Sequence, residues 1–162
     1  MQLPDANIRS SSYYIAQTTV QCMSCDQWTR VLALALPAPH EILIEDDWQA
    51  ADVSAFLFHV TELPEGVRRQ LLQISPFFRL ARGADGSDPC WVNHCEHCDA
   101  LVSDDELHCE PGGFMPGNAN EAQTVSLMAI SQVFRAVAAG YAVDPEFFVH
   151  MRMHVHMRKR GR

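Results

Sequence analysis

Two cysteine pairs of one form stand far apart in the chain: Cys22-Met23-Ser24-Cys25-Asp26 and Cys95-Glu96-His97-Cys98-Asp99. Two residues between cysteines let a tight turn aim both sulfurs at one ion. The amides of that turn donate hydrogen bonds to the thiolates and offset their charge. The residue after the second cysteine tends to need left-handed backbone, which aspartate tolerates better than most side chains. Asp26 and Asp99 therefore suit two equivalent turns. Together Cys22, Cys25, Cys95 and Cys98 offer four sulfurs, the closed tetrahedral shell of a structural zinc ion. Iron takes the same shell, so the set fits either metal. Sixty-nine residues separate Cys25 from Cys95, against about 15–20 in compact sites. The gap contains strand and helix patterns and reads as an insertion between two hairpins. A redox dithiol would need a helix opening at the first cysteine, whereas Asp26-Gln27-Trp28-Thr29-Arg30-Val31 reads as strand. Two pairs of unmetallated reactive thiols are the least economical alternative.

Cys90, His94, His97, His108, Cys109 and Glu110 crowd the second pair in sequence. They are candidates for a second metal or a catalytic histidine, and Cys90 with Cys109 for a redox-labile pair. The plainer reading makes the two cysteines small core residues and the histidines hydrogen-bond donors beside the metal. One histidine replacing a cysteine in the shell is a further option. His150, His154 and His156 share a face on a strand, and His150 and His154 share one on a helix. They lack H-E-x-x-H spacing and read as surface. Gly112-Gly113 reads as a turn, without a phosphate-loop pattern, and the chain has no Gly-x-Ser-x-Gly elbow. Asp104-Asp105-Glu106 reads as exposed loop. No nucleophile and base can be paired, so the expectation is no catalytic residue and no cofactor besides the metal.

These residues need a folded frame, and 162 residues with 48% hydrophobic content suffice for one domain with a core. The longest apolar run, Val31 to Ala38, is interrupted by Pro37 and too short to span a bilayer. The first residues lack a basic and apolar leader, which gives the expectation of a cytoplasmic, reducing setting where six cysteines mean metal or free thiols. The net charge is −8, and a zinc with four thiolates would make it more negative. An acidic chain is a poor general binder of phosphate backbones. Glu41, Glu45, Asp46, Asp47 and Asp52 form an acidic segment, while Arg152, Arg158, Lys159, Arg160 and Arg162 make the end basic. Both read as solvated surface.

Residues 1–12 read as a flexible start. Tyr13 to Val20 and Thr29 to Leu36 read as strands joined through the first cysteine turn, the second apolar on both faces and so central. The acidic stretch to Asp52 has no clear pattern. Ser54 to Val60 reads as a strand with Phe56, Phe58 and Val60 on one face. Pro64 and Glu65 open a helix carrying Val67, Leu71 and Ile74, which Pro76 stops. Phe77 to Arg82 and Cys90 to His94 read as strands around the loop 83–89, and Ala100 to Cys109 as the return strand. Val125 to Ala139 fits both helix and strand periods. Asp144-Pro145-Glu146 opens a helical or extended basic extension, 144–162.

The cysteine turns with their flanking strands resemble those of zinc-ribbon (rubredoxin-knuckle) proteins. The longer pattern is similar to uncharacterised bacterial zinc-ribbon-containing proteins, through Val31 to Pro37, Trp91 to Cys98 and His108 to Gly113. The resemblance covers most of residues 13–117, implies a bacterial or phage source and lends no role. The expected architecture is α+β: an antiparallel β core with two zinc knuckles over 13–143, interrupted by a strand–helix insertion, 37–89. The expected function is a zinc-binding, non-enzymatic module that recognises another protein, with Trp48 and the acidic segment as contacts. The alternatives are nucleic-acid binding through Arg158–Arg162, and an enzyme with a second metal site near residues 94–110.

Overall fold

In the computed structural model, which describes residues 6–82, 88–110, 112–143 and 148–155, the chain is mostly β-sheet with few helices. The strands are β1 (Ile8–Ser10), β2 (Tyr13–Gln21), β3 (Trp28–Leu36), β4 (His40–Ile44), β5 (Asp47–Ala51), β6 (Ala55–Glu62), β7 (Phe78–Ala81), β8 (Cys90–His94), β9 (Leu101–Val102), β10 (Ser126–Ile130), β11 (Phe134–Val143) and β12 (Arg152–Val155). The helices are α1 (Glu65–Ile74), α2 (Asp104–His108) and α3 (Ala119–Ala122), with a 3-10 turn at Phe148–His150. Strand order is β12-β10-β2-β3-β6-β11-β1-β4-β5, with β8 branching from β6 and carrying β7 and β9. Among the described pairs all are antiparallel except β10 with β12. No helix among the described residues is long and apolar enough to cross a membrane.

β3 explains the layering. Its unbroken apolar run leaves neither face for water, so both faces must be covered. Leu32, Leu34 and Leu36 face one core with Tyr13, Ile15, Leu57 and Phe134; α1 closes it with Val67 and Leu71. Val31, Ala33 and Ala35 face a second core with Phe56, Leu107, Phe114, Leu127 and Phe148. The central position expected for this strand is the one it holds, between β2 and β6.

Several elements differ from the expectations. Ile8–Ser10, read as part of a flexible start, is β1, hydrogen-bonded between β11 and β4. The patternless acidic stretch forms the β4–β5 hairpin, whose turn places Glu45 and Asp46 in left-handed backbone at φ 50 and 66°. Val125 to Ala139 divides into β10 and the start of β11. The partner strands decide it, because pairing with β2 and β6 satisfies a backbone whose side chains fit either period. The expected return strand after the second cysteine pair is two residues long. Ser103 then caps α2, its Oγ accepting from the amides of Asp105 at 3.0 Å and Glu106 at 3.3 Å. Asp144-Pro145-Glu146, His156 and the basic run Arg158–Arg162 lie outside the described residues, as do 83–87 of the expected loop.

Candidate metal centre

The β2–β3 hairpin carries Cys22 and Cys25 at its tip, and the β8–β9 hairpin carries Cys95 and Cys98. The two tips repeat the same backbone. Cys22 N donates to Gln27 O at 2.8 Å and Asp26 N to Cys22 O at 2.9 Å; Cys95 N donates to Ala100 O and Asp99 N to Cys95 O at the same distances. Asp26 and Asp99 have φ of 62 and 63°, the left-handed conformation expected of them. In each turn an amide two residues on, Ser24 or His97, donates to the first cysteine's sulfur at 3.4 Å.

These turns bring all four predicted sulfurs within 4.8 Å of one another. Cys22 Sγ lies 3.6 Å from Cys98 Sγ, and Cys25 Sγ 3.6 Å from Cys95 Sγ. Both distances exceed a disulfide bond, about 2.05 Å. They match the edge of a tetrahedron, about 3.8 Å, when sulfurs sit about 2.3 Å from a central ion. The cluster is therefore compatible with a structural metal site. Crowding splits the thiols. At Cys95 desolvation pushes the thiol up, but the amides of Cys98 and His97 and the neighbouring thiols outweigh it and hold the group down at about 6. At Cys25 the Gln27 amide favours the thiolate, yet desolvation and the three other thiols raise the group to about 12. All four sulfurs could be ionised together at this spacing only with a cation among them.

The hairpins are fastened together by side chains next to the sulfurs. β3 pairs with β6 only from Leu34 to Leu36, so the free edge of Leu32 faces β8 without a ladder partner. Asn93, buried on β8, fills that place: its Oδ1 accepts from Leu32 N and its Nδ2 donates to Leu32 O, both at 2.8 Å. Glu96 N donates to Thr29 Oγ1 at 3.0 Å, and Glu96 Oε1 accepts from Arg30 N at 2.8 Å. His97 Nε2 donates to Trp28 O at 3.1 Å. Nothing in the cysteine pattern points to Asn93. A polar residue inside an otherwise apolar strand, Trp91-Val92-Asn93, is the one signal available for it.

A second cluster forms where β6 leaves β3. His59 sits in left-handed backbone at φ 50°, a costly conformation for a non-glycine residue in mid-strand. The kink reverses the inward face of the strand, so Phe56 joins one core and Val60 the other. The expectation that Phe56, Phe58 and Val60 share a face fails for this reason. His59, Cys90 and Asp104 come within 4.8 Å of one another through potential ligand atoms. Asp104 is buried at the start of α2, not exposed loop, and accepts from His59 N at 2.8 Å. Desolvation raises its carboxyl, against the amide and charge of His59. Beside it, His108 is buried and stacked on Phe58, ring centres 4.8 Å apart. Burial, aided by the charge of His59, pushes the His108 imidazole down to about 4. Gly140 opposite Phe58 makes room for the stack, since a Cβ there would overlap the Phe58 ring.

The remaining candidates scatter. Cys90 is half-buried and Cys109 exposed, so neither is the small core residue expected; both are free thiols. His94 is buried with Nδ1 3.3 Å from Phe77 O. His150 is exposed in the 3-10 turn while His154 belongs to β12, so these two do not share one element. Gly112 and Gly113 form the expected turn, both with positive φ. Trp48, expected as an exposed contact, is half-covered, with the Arg9 guanidinium 4.0 Å from its ring centre. A cleft of about 470 Å³ between Arg9, His40, Glu41 and Arg135 shares no residue with either cluster. In comparisons with known proteins, the chain matches no protein-family model, no curated protein and no solved structure.

Proposed function

We propose that Cys22, Cys25, Cys95 and Cys98 hold one structural zinc ion, as two knuckles of zinc-ribbon type, and that the domain so fastened is a non-enzymatic protein-interaction module. The convergence of four sulfurs at tetrahedral spacing carries the first part. Four thiolates close the shell, so the ion has no free position for water or substrate. Zinc suits an all-sulfur tetrahedral set without redox demands. The metal would clip together two hairpins whose cysteines are 69 residues apart.

The interaction role is supported by what surrounds the first turn. Met23 is 80% and Trp28 65% exposed, two large apolar side chains at the tip of a metal-rigidified hairpin. Aromatic and methionine side chains on rigid supports are the usual anchors of protein interfaces. The net charge of −8 argues against phosphate backbones as the partner.

Elemental mass spectrometry on protein purified without added metal tests the site. One zinc held by these cysteines, lost in Cys22→Ser and in Cys95→Ser, is expected; a folded protein without metal would refute it. The interaction role is tested by covalent capture of partners with wild type and a Met23→Ala/Trp28→Ala variant of unchanged metal content. An unchanged set of captured proteins would reject this surface.

A further inference from the structure

Beyond the four-cysteine site, we infer that His59, Cys90 and Asp104 form a second, open site for a divalent transition metal of the zinc class. The three residues come from three elements, β6, β8 and α2, and are 14 to 45 positions apart in sequence. Their ligand atoms nevertheless gather within 4.8 Å. His59 Nδ1 is 3.7 Å from Asp104 Oδ2, close to the edge of about 3.4 Å expected for nitrogen and oxygen ligands on tetrahedral zinc. The other ring nitrogen, Nε2, faces Asp105 Oδ1 at 3.5 Å. A carboxylate in that place is the usual support of a ligating histidine, fixing its tautomer and orientation.

Two further observations point to a cation here. Asp104 is 6% exposed, and its ion-pair partner among the described residues is His59, at a distance too long for a hydrogen bond. A buried carboxylate is costly unless paired or bound to metal. The left-handed backbone of His59 is the second. Its amide, bonded to Asp104, and its ring are both turned to α2 at an energetic cost, and such cost concentrates at functional sites.

The mixture of sulfur, nitrogen and oxygen favours zinc-class ions over magnesium or calcium. Three protein ligands leave a fourth position for water or another donor, the arrangement of reactive rather than structural zinc. His59 is 44% exposed at its side chain, so solvent reaches the cluster. Phe58 meets the His59 ring edge-on and stacks on His108.

The test adds cobalt(II) to protein washed with a mild chelator until one zinc per chain remains on the four cysteines. Wild type is expected to take up one further equivalent, with tetrahedral visible bands and a charge-transfer band of single-thiolate intensity. Cys90→Ser should abolish the charge-transfer band. His59→Asn, which tolerates left-handed backbone, should weaken cobalt binding at least tenfold, with zinc content and circular dichroism unchanged. No cobalt uptake by wild type, or uptake unaltered in both variants, would overturn the second site. Failure of the four-cysteine reading is distinguishable, because purified protein would then hold no zinc on Cys22 and Cys95 while the single-thiolate band could still be read.

Discussion

The two clusters of potential ligands are built in opposite ways. The four cysteines sit on turns at hairpin tips, and each turn presents two sulfurs through its own short-range hydrogen bonds. Folding has only to bring two finished halves together. His59, Cys90 and Asp104 belong to no local motif, and their meeting depends on the kink in β6, the pairing of β8 with β6 and the capping of α2. The first arrangement offers four ligands, enough to close the shell of an ion. The second leaves one side open and rests on a strained backbone. Left-handed residues occur in both, with different purposes: Asp26 and Asp99 close a turn, whereas His59 redirects a strand and aims a side chain.

The largest expected effect is at the first cluster. Cys22→Ser or Cys95→Ser should cost about 5 kcal/mol or more, a fall in Tm of about 10 °C or more, because the metal's binding energy also stabilises the fold. Thermal unfolding followed by circular dichroism checks this. A Tm within a few degrees of wild type would make the cluster dispensable.

The buried histidine stacked on Phe58 should show in acid. His108 titrates near 4 in the folded chain against 6.5 when unfolded. The unfolded state therefore binds more protons between these values, and stability present above pH 6.5 is lost as pH falls through 4. The contribution is about 3 kcal/mol by linkage. Asp104, raised by burial, works in the opposite sense in acid. His108→Phe should flatten the decline in urea-unfolding free energy between pH 6.5 and 4, and an unchanged slope would assign it to other groups.

Asn93→Ala separates the fastening of the hairpins from the cysteine cluster. It leaves the amide and carbonyl of Leu32 without their partner and should cost about 2 kcal/mol in urea unfolding. The smallest pair compares the left-handed residues directly. Asp26→Gly and His59→Gly should each change stability by about 1 kcal/mol or less, since relief of strain is set against added chain entropy. Asp26→Gly should keep both metals, while His59→Gly should lose the second alone. Equal metal contents in the two variants would erase the distinction.

What could be read from sequence follows the same division. The cysteine turns, the aspartates after them and the two-faced β3 are short-range patterns, visible because each carries its own physical reason. α1 was legible from Pro64, Glu65 and the spacing of Val67 and Leu71. The kink at His59 was not, because histidine enters left-handed backbone only when its surroundings demand it, here the bond to Asp104, 45 residues away. That long-range bond also hid the second cluster. Residues 125–139 were ambiguous because their alanines and aliphatics fit both periods, and β2 and β6 settled the matter as pairing partners. α2 carries a usable signal in the Ser103-x-x-Glu106 capping pattern, although the strand-like run from Ala100 to Cys109 obscures it.

X-ray absorption at the zinc edge reads out whether four sulfurs surround one ion. Protein washed with a mild chelator to one zinc per chain is the sample to use, since the open second site gives up its ion first. Four sulfur neighbours at about 2.3 Å are expected. Zinc bound to nitrogen or oxygen in place of any of the four, or no zinc in a folded protein, would contradict the four-sulfur site.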